Sequence, residues 1–160
     1  MLIAELTVSG VPRVKKNNQK VVLARTKAGK YYPKKIDTPA YKIWHKKAIP
    51  QIERQKPSLE IDFPVNLACS FYMDTEVKVD LSALYEGIQD VLVELNVLSD
   101  DNYTIVASHD GSGVYVDKTN PRMEIVITSK LEDARITQPE TLSFIAKAKR
   151  EKDNGEELPF

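Results

Sequence analysis

Two periodicities take turns along the chain. Leu2, Ala4, Leu6 and Val8 fall two apart, the spacing of a strand with one buried face. VVLA at 21–24 is a second short strand, and TKAGKYYPKK at 26–35 reads as a basic turn with two tyrosines. Tyr41, Trp44, His45, Ala48 and Ile52 recur at threes and fours and predict a helix. Asp37 or Thr38 would cap it, Pro39 suits its first turn, and Pro50 should kink or end it. In IDFPVNLACSFYMD, 61–74, the alternation of Val65, Leu67, Cys69 and Phe71 predicts a strand. A second helix over 82–95 carries the apolar stripe Leu84, Ile88, Val91, Leu92 and Leu95. YTIVASHD at 103–110 reads as a strand, DGSG as a turn, and VYVDK and RMEIVITS as one or two further strands. A last helix is expected from Gln138 to Arg150, stopped by Asp153-Asn154-Gly155. The order β β α β α β β α predicts an α+β fold, a mixed β-sheet packed with helices. One domain is expected over 1–130, with 131–160 a charged C-terminal extension, part helix and part flexible.

Composition changes this picture little. With 160 residues the chain is long enough for one well-buried core. Its one cysteine, Cys69, excludes an internal disulfide framework and reads as a small buried hydrophobe. No apolar run approaches the roughly 20 residues that span a bilayer, so no membrane partner is expected. MLIAELTVSG lacks a basic start and carries Glu5, so no signal peptide is expected either. A cytoplasmic location follows as an expectation.

Charge changes it more. The net charge is zero, but residues 12–56 hold fourteen Lys and Arg against two acids, a net of +12. Residues 57–111 hold one Lys against eleven acids, a net of −10. A chain with two opposite poles points to a polyanionic partner. Arg13, Lys15, Lys16, Asn17, Lys20, Arg25, Lys27, Lys30, Lys34 and Lys35 are the candidate contacts to phosphates, and Tyr31 and Tyr32 could stack on unpaired bases.

The acidic half concentrates on the second helix. Glu86, Asp90 and Glu94 stand four apart, with no Lys or Arg within a turn, at a cost of roughly 0.2–0.5 kcal/mol per pair. Asp80 precedes this helix and Asp100-Asp101 follow it. If the segment Glu76–Val79 and the strand after Asp101 lie side by side, Asp80, Glu86 and Asp101 converge. Carboxylates gathered this way suit Mg²⁺, or Mn²⁺, and phosphodiester hydrolysis. The plainer alternatives are a solvated face for Glu94, a simple cap for Asp80 or Ser82, and core packing for Trp44 and His45. For His109 a structural strand-end role competes with a metal pair beside Asp110.

DLSALYEGIQDVL at 80–92, with Asp100-Asp101 beyond it, resembles the RusA-type Holliday-junction endodeoxyribonucleases. Their pattern is D-x-D-N-x-x-K-x-x-x-D-x-L followed by a D-D pair before a strand. Asp80, Asp90 and Asp100-Asp101 match. Ser82, Ala83 and Glu86 depart, standing where the family has Asp, Asn and Lys. The likeness spans roughly residues 2–129 and includes the proline turn and asparagine-containing basic loop at 12–18. It implies a bacterial or phage-encoded nuclease that resolves four-way junctions as a homodimer. Asp80, Glu86, Asp90 and Asp101 would be catalytic, and Asp80, Glu86 and Asp101 would be the magnesium ligands. The departures leave a second reading, a relative that binds branched DNA without cutting it.

Overall fold

A computed structural model describes residues 1–15, 20–133, 135–136 and 139–153. The elements run β1 (Leu2–Ser9), β2 (Lys20–Arg25), β3 (Tyr31–Ile36), α1 (Pro39–Glu53), β4 (Val65–Met73), α2 (Leu81–Glu94), β5 (Val106–Ser108), β6 (Gly113–Val116), β7 (Arg122–Ser129) and α3 (Pro139–Asp153). The class is α+β with a mixed sheet, as the two periodicities predict.

β4 organises the main sheet because three strands pair with it. β7 pairs antiparallel with β4 on one side and with β1 on its own far side. On the other side β4 pairs parallel with β5 near its start and with β6 near its end. Val65, Leu67, Cys69, Phe71 and Met73 alternate onto the buried face of β4, joined by Met123, Ile125 and Ile127 of β7 and Leu6 and Val8 of β1. Against them pack Tyr41, Trp44, Ala48 and Ile52 of α1 and Leu84, Ile88, Val91 and Leu92 of α2. Burial pushes the Cys69 thiol pKa up, which keeps it protonated and unreactive.

Several local devices hold these layers in place. Thr38 caps α1, its side chain accepting from the Tyr41 N–H at 3.2 Å. Gln51 of α1 and Gln55 in the turn just after it bond the exposed edge of β1. Gln55 Oε1 accepts from Thr7 N at 2.9 Å while its Nε2 donates to Thr7 O at 2.8 Å. Gln51 does the same for Ser9 at 2.8 and 3.3 Å. Two side-chain amides thus stand in for a strand and blunt an open edge. The buried Asn66 pins the turn after β5: its Oδ1 accepts from Ser108 Oγ and Asp110 N, and its Nδ2 donates to Asp110 O.

Four expectations need correction. Tyr31 and Tyr32 do not lie in a turn but begin β3, which pairs with β2 as a separate two-stranded hairpin. Pro50 does not end α1, which runs on to Glu53. The buried Ile52 anchors that last turn, and packing overrides the missing N–H. Residues 76–79 form no strand, since β4 stops at Met73. The strand expected over 103–110 shortens to β5, because 101–105 are turns around Asn102, whose side chain accepts from Thr104 N and Oγ1. No helix among the described residues is long and apolar enough to cross a membrane.

Candidate functional site

α2 turns its apolar stripe to the sheet, so Glu86, Asp90 and Glu94 come to its opposite side by the 3.6-residue repeat. Their partners come from distant parts of the chain. Lys15 Nζ donates to Asp90 Oδ2. His45 Nε2 lies 2.7 Å from Glu94 Oε2. Lys15, Asp37, Tyr41, Lys42, His45, Asp90 and Glu94 line one cleft of about 230 Å³ between α1, α2 and the segment after β1. The bond to Asp90 raises the Lys15 pKa, helped by the charges of Asp37 and Glu86. Tyr41 has its hydroxyl pKa pushed up by burial and by Asp90, Asp37 and Glu94. Glu86 is half-buried and its Oε2 is enclosed.

Gly87 makes this arrangement possible. A Cβ there would stand 3.2 Å from the Arg13 carbonyl oxygen and 3.2 Å from the Tyr41 ring. Without one, the chain after β1 lies against α2 and carries Lys15 to Asp90, while Tyr41 O–H donates to Gly87 O at 3.0 Å. An isolated glycine inside a helical pattern is the sequence signal for such a close approach, and it went unread in DLSALYEGIQDVL. Asp37, Tyr41 and the His45–Glu94 pair were also missed as members of one cleft. His45 is therefore half-buried and not core, Glu94 stands exposed on the solvated face with His45 as its partner, and Trp44 is buried in the core.

The remaining expected acids fall into two places. After α2 the chain folds back, Val97 and Leu98 N–H both donating to Leu92 O, and this brings Asp100 and Asp101 round. The Asp101 pKa is raised by partial burial, then by Asp100, with Asp90 adding to it, so Asp101 belongs with the Asp90 end of the helix. Asp80 is at the other end. It is the N-cap of α2, its Oδ1 accepting from Ser82 N at 3.1 Å and Ser82 Oγ at 2.8 Å. Ten residues of helix separate Asp80 from Asp90, about 15 Å along the axis. Among the described residues no three His, Cys, Asp or Glu stand close enough to hold one metal ion. The convergence of Asp80 with Asp101 that the sequence suggested rested on a strand at 76–79 that does not form. Ala83 is 7% exposed and packs as a core residue. His109 donates from Nδ1 to Leu67 O at 3.0 Å, with its ring 3.9 Å from that of Tyr85, a structural role.

On the basic side, Arg13, Arg25, Lys27 and Lys30 are exposed, Arg25 lying over the Tyr31 ring at 5.8 Å. Lys27 and Lys30 sit in the hairpin turn, where Gly29 takes a φ of 82°. Lys20 is the first residue of β2. Lys16 and Asn17 lie outside the described residues. Tyr31 and Tyr32 are consecutive in β3 and point to opposite faces, so they do not form one stacking platform. Comparison with protein-family models finds none that matches this chain, and comparison with curated proteins finds no match either.

Proposed function

We propose that the chain is a Mg²⁺- or Mn²⁺-dependent endodeoxyribonuclease acting on branched DNA, of the RusA type that its acidic motif resembles. The observation that carries this reading is the meeting of its two charge poles. A lysine of the basic segment, Lys15, reaches the acidic face of α2 at Asp90, so DNA held by that segment would present its phosphates beside Glu86, Asp90 and Asp101. The donor chemistry suits a hard divalent ion: every candidate is a carboxylate, and Asp101 is crowded by negative charge that a cation would relieve. Magnesium takes only a few protein carboxylates when phosphates complete its shell. When bound, it would supply charge neutralisation at the scissile phosphate. By the motif Glu86 and Asp101 would be the ligands, and Asp80 does not join them in the arrangement described. Paired cuts across a junction call for two copies of the site, hence a homodimer.

Ala83, buried where the family has a polar residue, favours the second reading, a protein that binds branched DNA without cutting it. One experiment separates the two: a four-way junction incubated with wild type, Asp80→Asn and Asp101→Asn over a range of Mg²⁺ and Mn²⁺. We expect wild type to cut, Asp101→Asn to bind as tightly but not cut, and Asp80→Asn, whose side chain caps the other end of α2, to cut as wild type. Asn serves as well as Asp at a helix cap, so loss of cutting at 80 would report the charge and not the fold. Near wild-type cutting by Asp80→Asn alone would confine the ion to the Glu86–Asp101 end. A wild type that binds without cutting under every condition establishes the second reading.

A further inference from the structure

The β2–β3 hairpin forms its own sheet, apart from the five-stranded one. Its register sorts its side chains. Leu23 pairs with Pro33 and Arg25 with Tyr31, so Val21, Leu23 and Arg25 share one face with Tyr31 and Pro33. Val22, Ala24 and Tyr32 take the other. The first face is the open one: Val21 is 62%, Leu23 73% and Tyr31 67% exposed, against 37% for Val22 and 44% for Tyr32. A two-stranded ribbon is marginal in water by itself, and one that shows its apolar face needs something to cover it.

From this we infer that the Val21–Leu23–Tyr31–Pro33 face binds the flat faces of unstacked bases, and so recognises DNA at branch points in preference to continuous duplex. The inference rests on the reading of the chain as a DNA-binding protein and adds the part of the DNA it selects. Charge decides the class of occupant. Residues 13–36 carry nine Lys and Arg and no acid, so two such hairpins laid face to face would bring like charges together, whereas a polyanion is drawn to them. Chemistry decides the part of the polyanion. The apolar side chains of Val21, Leu23 and Pro33 and the flat face of the Tyr31 ring offer nothing to a phosphate, and in an intact duplex the base faces are stacked out of reach. Unpaired bases expose those faces, and stacking on aromatic side chains is how they are held. Arg25, lying over the Tyr31 ring at 5.8 Å, steadies the ring.

The test compares affinities for a four-way junction and for duplex of the same sequence, in EDTA so that no cutting intervenes, for wild type, Tyr31→Ala, Tyr31→Phe, Leu23→Ser and Lys27→Ala. Both Tyr31→Ala and Leu23→Ser should weaken junction binding roughly tenfold and leave duplex binding unchanged. Tyr31→Phe should bind as wild type. Lys27→Ala should weaken both DNAs alike and reduce the salt slope by about one. Equal losses on junction and duplex for Tyr31→Ala, or none, overturn the inference. So does a Leu23→Ser protein that falls from dimer to monomer by light scattering, which would make this face a contact between copies. Because cutting is not read, failure of the nuclease reading leaves this result standing. Failure of the inference appears as a junction preference that Tyr31→Ala and Leu23→Ser retain, in a protein that still binds DNA.

Discussion

Gly87 is where helix propensity and packing disagree, and magnitudes decide between them. Alanine in a helix interior gains about 1 kcal/mol over glycine. Here the new methyl would meet the Arg13 carbonyl and the Tyr41 ring at 3.2 Å each. The ring is tethered by its own hydrogen bond to Gly87 O, so it does not swing clear. Overpacking costs about 1–3 kcal/mol, so Gly87→Ala should lower stability by about 1 kcal/mol net. A urea midpoint shifted down at constant slope is the expected result, and a midpoint equal to or above wild type would contradict the close approach. The same residue explains what the acidic helix face could not reveal in sequence. Asp90 has no local counter-ion because its partner, Lys15, lies 75 positions away and arrives only because Gly87 leaves room.

Among the elements, α1 carries a cost that can be removed. Pro50 is exposed, lies inside the helix and leaves the Lys46 carbonyl without its usual donor. Pro50→Ala should raise stability by about 1–3 kcal/mol, seen as a higher melting temperature with unchanged secondary structure. A lower one would mean that the proline is needed to turn the chain toward Gln55. The segment between β7 and α3 makes a prediction in pH. Asp133 accepts from Arg135 Nη2 at 2.7 Å and from Lys130 at 3.5 Å, and Arg135 above all holds its carboxyl below the ordinary value of 3.8. A depressed carboxylate adds stability above its unfolded pKa and loses it as pH falls through the folded one. Asp133→Asn should therefore be less stable than wild type at pH 7, and the gap should close progressively below about pH 3.8. A gap that stays constant into acid would exclude the ion pair as its cause. Where an element buries a continuous stripe, as in β4, β7 and α2, the sequence was legible, since period and burial carry the same information. It misled where a single contact overrides the pattern: the Asn102 side chain converts the start of an apparent strand into turns, and the packing of Ile52 draws a helix past a proline. The candidate site was half legible, its residue types but not their grouping, because strand register and the fold-back at Leu98 set which acids meet.

Taken as a whole, the molecule has no net charge and yet two strongly charged regions, and the two alternatives for DNA binding differ in what salt should do. If affinity followed net charge, ionic strength would scarcely matter. If the basic segment alone meets the DNA, each neutralised phosphate releases counter-ions, and log K falls with log salt at about −0.9 per contact. With about six of the nine cations of residues 13–36 engaged, junction affinity should drop on the order of a thousandfold between 50 and 200 mM salt. The acidic region works against the first contact but not against this slope. Its nearest carboxylate, Asp90, is already held by Lys15, so removing that charge by Asp90→Asn should tighten binding and free Lys15 for one more phosphate. The slope of Asp90→Asn should then be steeper than wild type by about one, in a titration from 50 to 300 mM salt. A flat wild-type profile would detach the basic pole from DNA. An Asp90→Asn slope equal to wild type would keep DNA binding but remove Lys15 from the surface that makes it.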